Sequence, residues 1–269
     1  MPSAPVVQVF ERCVAAMRSG LLIHQPSRTD KEFHFQNWFQ ARIVETGLNC
    51  DQRGRNTYPD FCLVDSADGF EVKGLAYPGR YLNYDSNSQV PSGEHRGRAI
   101  YYVFGRYPAK PDGDRYPVLD LVICHGDFLN ARHDYKHLNR SVRGFGSYGD
   151  IMIRDRKMYV APTPFGLIEG VAHHATLILP DQASRHGGMI QVGTLVRQES
   201  AELIVGYHFD LRTNDLTSDR VPNPGAGRQH AFTAWRVKGD PADAVTLRPP
   251  REVEQATANA AAEADEDEG

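Results

Sequence analysis

The chain has 269 residues, 41% of them hydrophobic, a formal net charge of −4 and four cysteines. That length supplies an ordinary buried core without staples, as one large domain or as one core with an added subdomain. Cys13, Cys50, Cys62 and Cys124 show neither C-x-x-C nor zinc-finger spacing, and no signal peptide or long apolar run is visible. The pattern argues against a disulfide scaffold, secretion and membrane insertion, and for reduced thiols in a cytoplasmic protein.

The negative charge comes from one end. Residues 252–269 carry Glu252, Glu254, Glu263, Asp265, Glu266, Asp267 and Glu268 and no Lys or Arg; without them 30 basic residues face 27 acidic ones. A mildly basic body with an acidic tail is compatible with DNA binding and does not require it.

Residues 5–18 place apolar side chains at helical spacing, and Gly20 ends the helix they predict. Thr29-Asp30 can cap a second helix over residues 31–46, stopped by Gly47. Phe35, Trp38, Phe39 and Ile43 share one stripe of it and should pack on a sheet. Residues 50–58 follow as a polar loop with Arg53, Arg55 and Asn56, suited to phosphate contact or simply solvated.

Residues 57–75 carry the strongest chemical signal. Residues 61–64 and 70–75 are short apolar runs separated by a turn cluster over 65–69, which predicts a β-hairpin at the middle of the sheet. Asp60 opens the first strand, and Glu71 and Lys73 interrupt the second on one shared face. Asp60 joins that face only if the hairpin register pairs it with residue 71 or 73. Two adjacent carboxylates repel unless a cation lies between them, and a hard divalent ion suits oxygen ligands. A surface hairpin with solvated charges is the plain alternative.

Pro59-Asp60 followed by Glu71-Val72-Lys73 resembles the signature of the PD-(D/E)XK nuclease superfamily. The polar stretch at 83–91, with the strand after it, resembles type II restriction endonucleases in particular. The resemblance covers roughly residues 30–125. It implies an α/β fold, with a mixed central sheet flanked by helices, and a Mg²⁺-dependent endonuclease acting on double-stranded DNA. Asp60, Glu71 and the Val72 carbonyl would hold the metal, and Lys73 would position or deprotonate the attacking water. A helix before the hairpin often lends this family a further acid. Here the place falls on Gln36, with Glu32 and Glu45 as other candidates; the change to Gln puts a third carboxylate in doubt. A homodimer matching a palindromic site and a cognate DNA methyltransferase as genetic partner also follow from the resemblance.

Residues 76–98 read as a long polar loop. Its Asn83, Asn87, Arg96 and Arg98 are of the types that read base edges or phosphates. Strands are predicted at 99–107 and 116–125, both apolar enough to lie inside a sheet. Residues 127–140 read as a short helix running into a second basic patch with Arg140 and Arg143. Strands over 189–196 and 201–209 read as a hairpin, and 232–237 as a last strand. His173-His174 is read as a structural pair, because a metal needs more ligands converging. The expected layout is a nuclease core over 1–150, a β-rich addition or recognition or dimerisation subdomain over 151–238, and an acidic disordered tail over 239–269.

Two alternatives stay open. One is a repair or recombination nuclease that reads DNA structure. The other is a non-catalytic DNA-binding protein with a nuclease-like core. The three intact site residues argue against inertness.

Overall fold

The computed structural model describes residues 4–25, 31–51, 58–87, 89–131, 147–148, 151–153, 159–181, 187–210, 212–213 and 215–249. The chain opens with α1 (Pro5–Arg18), β1 (Ile23–His24) and α2 (Lys31–Glu45). Next come β2 (Cys50–Asp51), β3 (Phe61–Leu63), β4 (Asp68–Tyr77), β5 (Asn83–Asn87), β6 (Glu94–His95), β7 (Arg98–Pro108), β8 (Arg115–Tyr116) and β9 (Asp120–His125). Beyond them lie β10 (Met152–Ile153), β11 (Tyr159–Pro162), the single turn α3 (Pro164–Leu167), β12 (Ile168–Glu169), β13 (Ala175–Pro180), β14 (Met189–Gln198), β15 (Glu202–Asp210), β16 (Asp215–Pro222), β17 (Gln229–Val237) and β18 (Thr246–Leu247).

The fold is α/β, built on a nine-stranded sheet with the order β14-β17-β13-β9-β7-β4-β3-β2, β6 pairing with β7. It is mixed: β4–β7 and β9–β13 are parallel, and the other pairs are antiparallel. Strand alternation splits the core between the two faces. On one face Phe70, Val72, Val103, Leu121, Ile123 and Leu177 meet the buried stripes of α1 and α2. On the other, Tyr102, Phe104, Val122, Cys124 and Ile178 meet Tyr84 of β5 and Tyr159 and Ala161 of β11. The segments α1 and α2 form because their apolar residues recur at helical spacing: Val6, Val9, Phe10, Cys13 and Val14 in the first, and Phe35, Trp38, Phe39 and Ile43 in the second, are buried. Among the described residues no helix is long and apolar enough to cross a membrane.

Several expectations need correction. The hairpin β3–β4 lies near one edge of the sheet, not at its middle, because β13, β17 and β14 extend the sheet only beyond β9. Residues 76–98 are not a bare loop. β5 pairs with β11 in a small second sheet, where Tyr84 packs edge-on against Phe104 with ring centres 5.1 Å apart. β14 and β15 do not form a hairpin together; β14 pairs with β17 and β15 with β16. The sealed Glu199 carboxylate fixes the junction between them, accepting from Asn223 Nδ2 at 3.3 Å and lying 2.7 Å from His230 Nε2. His173 and His174 sit in a turn before β13: the His173 amide donates to Asp120 Oδ2 at 3.1 Å, and His174 Nε2 lies 3.4 Å from Asp243 Oδ2. Of the helix expected over 127–140, a 3₁₀ turn at Gly126–Phe128 is described and 132–146 lie outside the described residues, as do 250–269 of the acidic tail.

Candidate active site

The hairpin β3–β4 is held from the helix side by aromatic packing. Phe39 of α2 lies 6.3 Å from the Phe61 ring and 5.4 Å from the Phe70 ring. Phe61 stands opposite Phe70, and Cys62 opposite Gly69. Gly69 lets the strands approach: a Cβ there would lie 2.7 Å from Pro59 Cγ. The register carried one step further sets Asp60 opposite Glu71, the pairing that puts all three site residues on one face. Phe70 and Val72 point to α1 and α2. Glu71 and Lys73 point the other way, beside Tyr102 and Phe104, their partners on β7.

The three groups meet through short contacts. The Val72 amide donates to Asp60 Oδ2 at 2.8 Å, and the Asp60 amide donates to Glu71 Oε2 at 3.3 Å. Lys73 Nζ lies 3.1 Å from Glu71 Oε1, and both side chains are largely shielded, 15% and 13% exposed. Each carboxylate therefore has one oxygen engaged by backbone of the other arm of the hairpin.

Three tyrosines complete the surroundings, and none was singled out from the sequence. Lys73 Nζ stands 6.0 Å from the centre of the Tyr84 ring. The Tyr58 and Tyr102 hydroxyls share a hydrogen bond of 2.7 Å, and the Tyr58 ring stands edge-on to His95 at 4.9 Å. Burial pushes both phenols above their ordinary range, and the nearby Glu71 charge pushes the same way. They remain neutral at physiological pH and add no anion to the site. Tyr58 carried a signal, directly preceding Pro59-Asp60. Tyr84 and Tyr102 gave none, since their place depends on long-range pairing.

Of the helix candidates, Gln36 is half-buried on α2, whose apolar stripe packs on the sheet face opposite Glu71 and Lys73. Glu45 is exposed and bound by Arg42, with Nε 2.9 Å and Nη2 2.6 Å from its oxygens. The Glu32 side chain lies outside the described residues.

The expected DNA-contact residues divide similarly. Asn83 is buried, and its Oδ1 accepts from Arg80 Nε at 2.8 Å inside the fold. Arg98 donates through Nη1 to the carbonyl oxygens of Leu63 at 2.8 Å and Ser66 at 2.9 Å, bracing the hairpin turn. Arg96 is exposed, in the left-handed region at φ 51°, in the turn between β6 and β7. The Asn87 backbone pairs with Tyr159, while its side chain lies outside the described residues. Arg53, Arg55, Asn56, Arg140 and Arg143 also lie outside them.

Among the described residues no three His, Cys, Asp or Glu side chains cluster as a metal site. Asp60 and Glu71 offer two hard carboxylates on one shielded face, which fits Mg²⁺. That ion keeps several waters and binds through one or two carboxylates plus a substrate phosphate. Among the described residues no set of thiolates or imidazoles gathers that would suit a softer metal. Comparison with protein-family models, curated proteins and solved structures gave no match to this chain.

Proposed function

We propose that the chain is a Mg²⁺-dependent endonuclease of the PD-(D/E)XK type, hydrolysing phosphodiester bonds of double-stranded DNA as a type II restriction enzyme. The observation that carries this is the hairpin register, which brings Asp60 beside Glu71 and Lys73 on one shielded face. Asp60 and Glu71 hold the ion, with the Val72 carbonyl as the expected third protein oxygen. When bound, Mg²⁺ supplies polarisation of a phosphoryl oxygen and a more acidic water. Lys73 orients that water and offsets charge building on the phosphate. Tyr58 and Tyr102 fix the floor beside Glu71 through their shared hydrogen bond. A homodimer is the natural form for a palindromic site, since both then share a two-fold axis. A cytoplasmic location and a partner methyltransferase belong to the same proposal.

One observation favours a second function, a nuclease that reads DNA structure. Asn83 and Arg98, two of the side chains expected to read sequence, are engaged within the fold. The test is a digest of unmethylated phage DNA with Mg²⁺, beside the Lys73→Ala variant. Discrete bands lost in the variant support the restriction enzyme. A smear lost in the variant supports the structure-reading nuclease. Uncut DNA with folded protein and several metals tried removes both.

A further inference from the structure

We propose that Lys73 is the built-in competitor of the divalent cation for Glu71, so that seating the cation is also what releases the lysine. The idea rests on the proposed function only in taking Asp60 and Glu71 as the cation's ligands.

Two neighbouring carboxylates need a positive charge between or beside them. The protein supplies one itself: Lys73 Nζ is 3.1 Å from Glu71 Oε1. With both side chains shielded from water, that attraction exceeds what an open surface pair achieves, where solvent screens it. The choice of oxygen matters. Glu71 Oε2 already accepts the Asp60 amide at 3.3 Å, and Asp60 Oδ2 accepts the Val72 amide at 2.8 Å. Glu71 Oε1 is thus the carboxylate oxygen turned from the backbone, and it is the one the ammonium touches.

A Mg²⁺ ligand oxygen sits about 2.0–2.1 Å from the ion. An ammonium and a divalent ion cannot both lie against one oxygen without strong mutual repulsion, so one must withdraw. The same face offers the ammonium a second place. The Tyr84 ring centre is 6.0 Å from Nζ, and the face of an aromatic ring attracts a cation. Drawn off Glu71, Lys73 frees its donors for the water and phosphate that would lie on the same face. The residue that neutralises the empty site becomes the residue that serves the reaction.

The test is Mn²⁺ binding to the full chain at fixed pH, followed calorimetrically and by electron paramagnetic resonance. Lys73→Met should bind Mn²⁺ about tenfold tighter than wild type, because the competing charge is gone. Lys73→Gln should do the same and carries the test if Lys73→Met fails to fold. Lys73→Arg, which keeps the charge, and Lys110→Met, at an exposed turn, should bind as wild type does. Glu71→Gln should weaken binding in every background. Equal or weaker binding by both neutral Lys73 variants overturns the competition, yet leaves the nuclease standing if wild type cuts DNA. Absence of Mn²⁺ binding in wild type, or binding indifferent to Glu71→Gln, overturns both.

Discussion

Arg98 reaches back from the first residue of β7 to donate to the Leu63 carbonyl at 2.8 Å, and the same Nη1 reaches the Ser66 carbonyl at 2.9 Å. A turn carbonyl without such a partner must find water or go unmet. One cation therefore ties the end of β3 to the turn that leads into β4, the turn that sets the register of Asp60 against Glu71. Arg98→Ala should lower the unfolding free energy by about 2 kcal/mol, the usual worth of hydrogen bonds from a charged donor. Urea unfolding checks it. A midpoint equal to wild type would show that the clamp holds nothing.

Tyr84 links the small sheet to the site. Its ring is buried against Phe104 and Tyr102, with centres 5.1 and 6.2 Å away, and it presents a face to Lys73. A cation over an aromatic face is worth about 0.5–1 kcal/mol, so Tyr84→Leu should slow the proposed Mg²⁺-dependent cleavage about two- to fivefold. Tyr84→Phe keeps the ring and should stay near the wild-type rate. Single-turnover cleavage of one DNA substrate separates the two, and equal loss in both variants would assign the effect to the hydroxyl instead.

The helices, the β3–β4 hairpin and the three candidate site residues are legible in the sequence because each follows from local pattern. Period 3.6 gave α1 and α2, and two apolar runs around a turn gave β3 and β4. The register was not legible: Asp60 meets Glu71 only through the pairing of Phe61 with Phe70 and the close approach that Gly69 permits. Polar residues are ambiguous in β5 and at the start of β7. Asn83 and Arg98 look like DNA-reading side chains, yet one accepts from Arg80 and the other braces a turn. Nothing local tells a buried, satisfied polar group from an exposed one awaiting a ligand. The direction in which the sheet grows depends on β13 pairing parallel to β9, fifty residues away in sequence by order of magnitude, and no local pattern carries that.

Arg106 and Asp120 form a buried ion pair between β7 and β9, with Arg106 Nε 2.8 and 3.0 Å from the two carboxylate oxygens. The guanidinium also lies over Tyr77 at 4.4 Å, Tyr81 at 5.1 Å and Phe165 at 4.4 Å. Arg106→Met leaves a sealed carboxylate without its cation and should cost about 3–5 kcal/mol. The double change Arg106→Met with Asp120→Leu should recover much of that loss. Recovery stops short of complete because the His173 amide, which donates to Asp120 Oδ2 at 3.1 Å, then has no acceptor. Chemical denaturation of the three proteins checks the order. A double variant no better than Arg106→Met would show that the aromatic cage, not the charge pair, sets the cost.

His125 closes β9 in a crowded place. Its ring stands edge-on to Tyr101 at 5.4 Å, and its Nδ1 accepts from the Asp127 amide at 3.3 Å. Burial lowers its pKa from the ordinary 6.5, while Asp127 and Asp68 pull it upward; burial wins. A neutral ring is also what the accepted hydrogen bond requires, since protonation at Nδ1 would end it. The unfolded chain therefore takes up the proton first as pH falls. The stability tied to a neutral His125 is present above 6.5 and is lost as pH drops through the lowered value. Asp68 acts in the opposite sense: burial raises its pKa, so its protonation in acid favours the folded state and offsets part of the loss. The urea midpoint of the wild type should fall between about pH 7 and pH 5, and His125→Asn should flatten that slope. Asp68→Asn should steepen it at the acid end, because the compensating proton uptake is gone. Equal slopes in wild type and His125→Asn would place the acid sensitivity elsewhere in the fold.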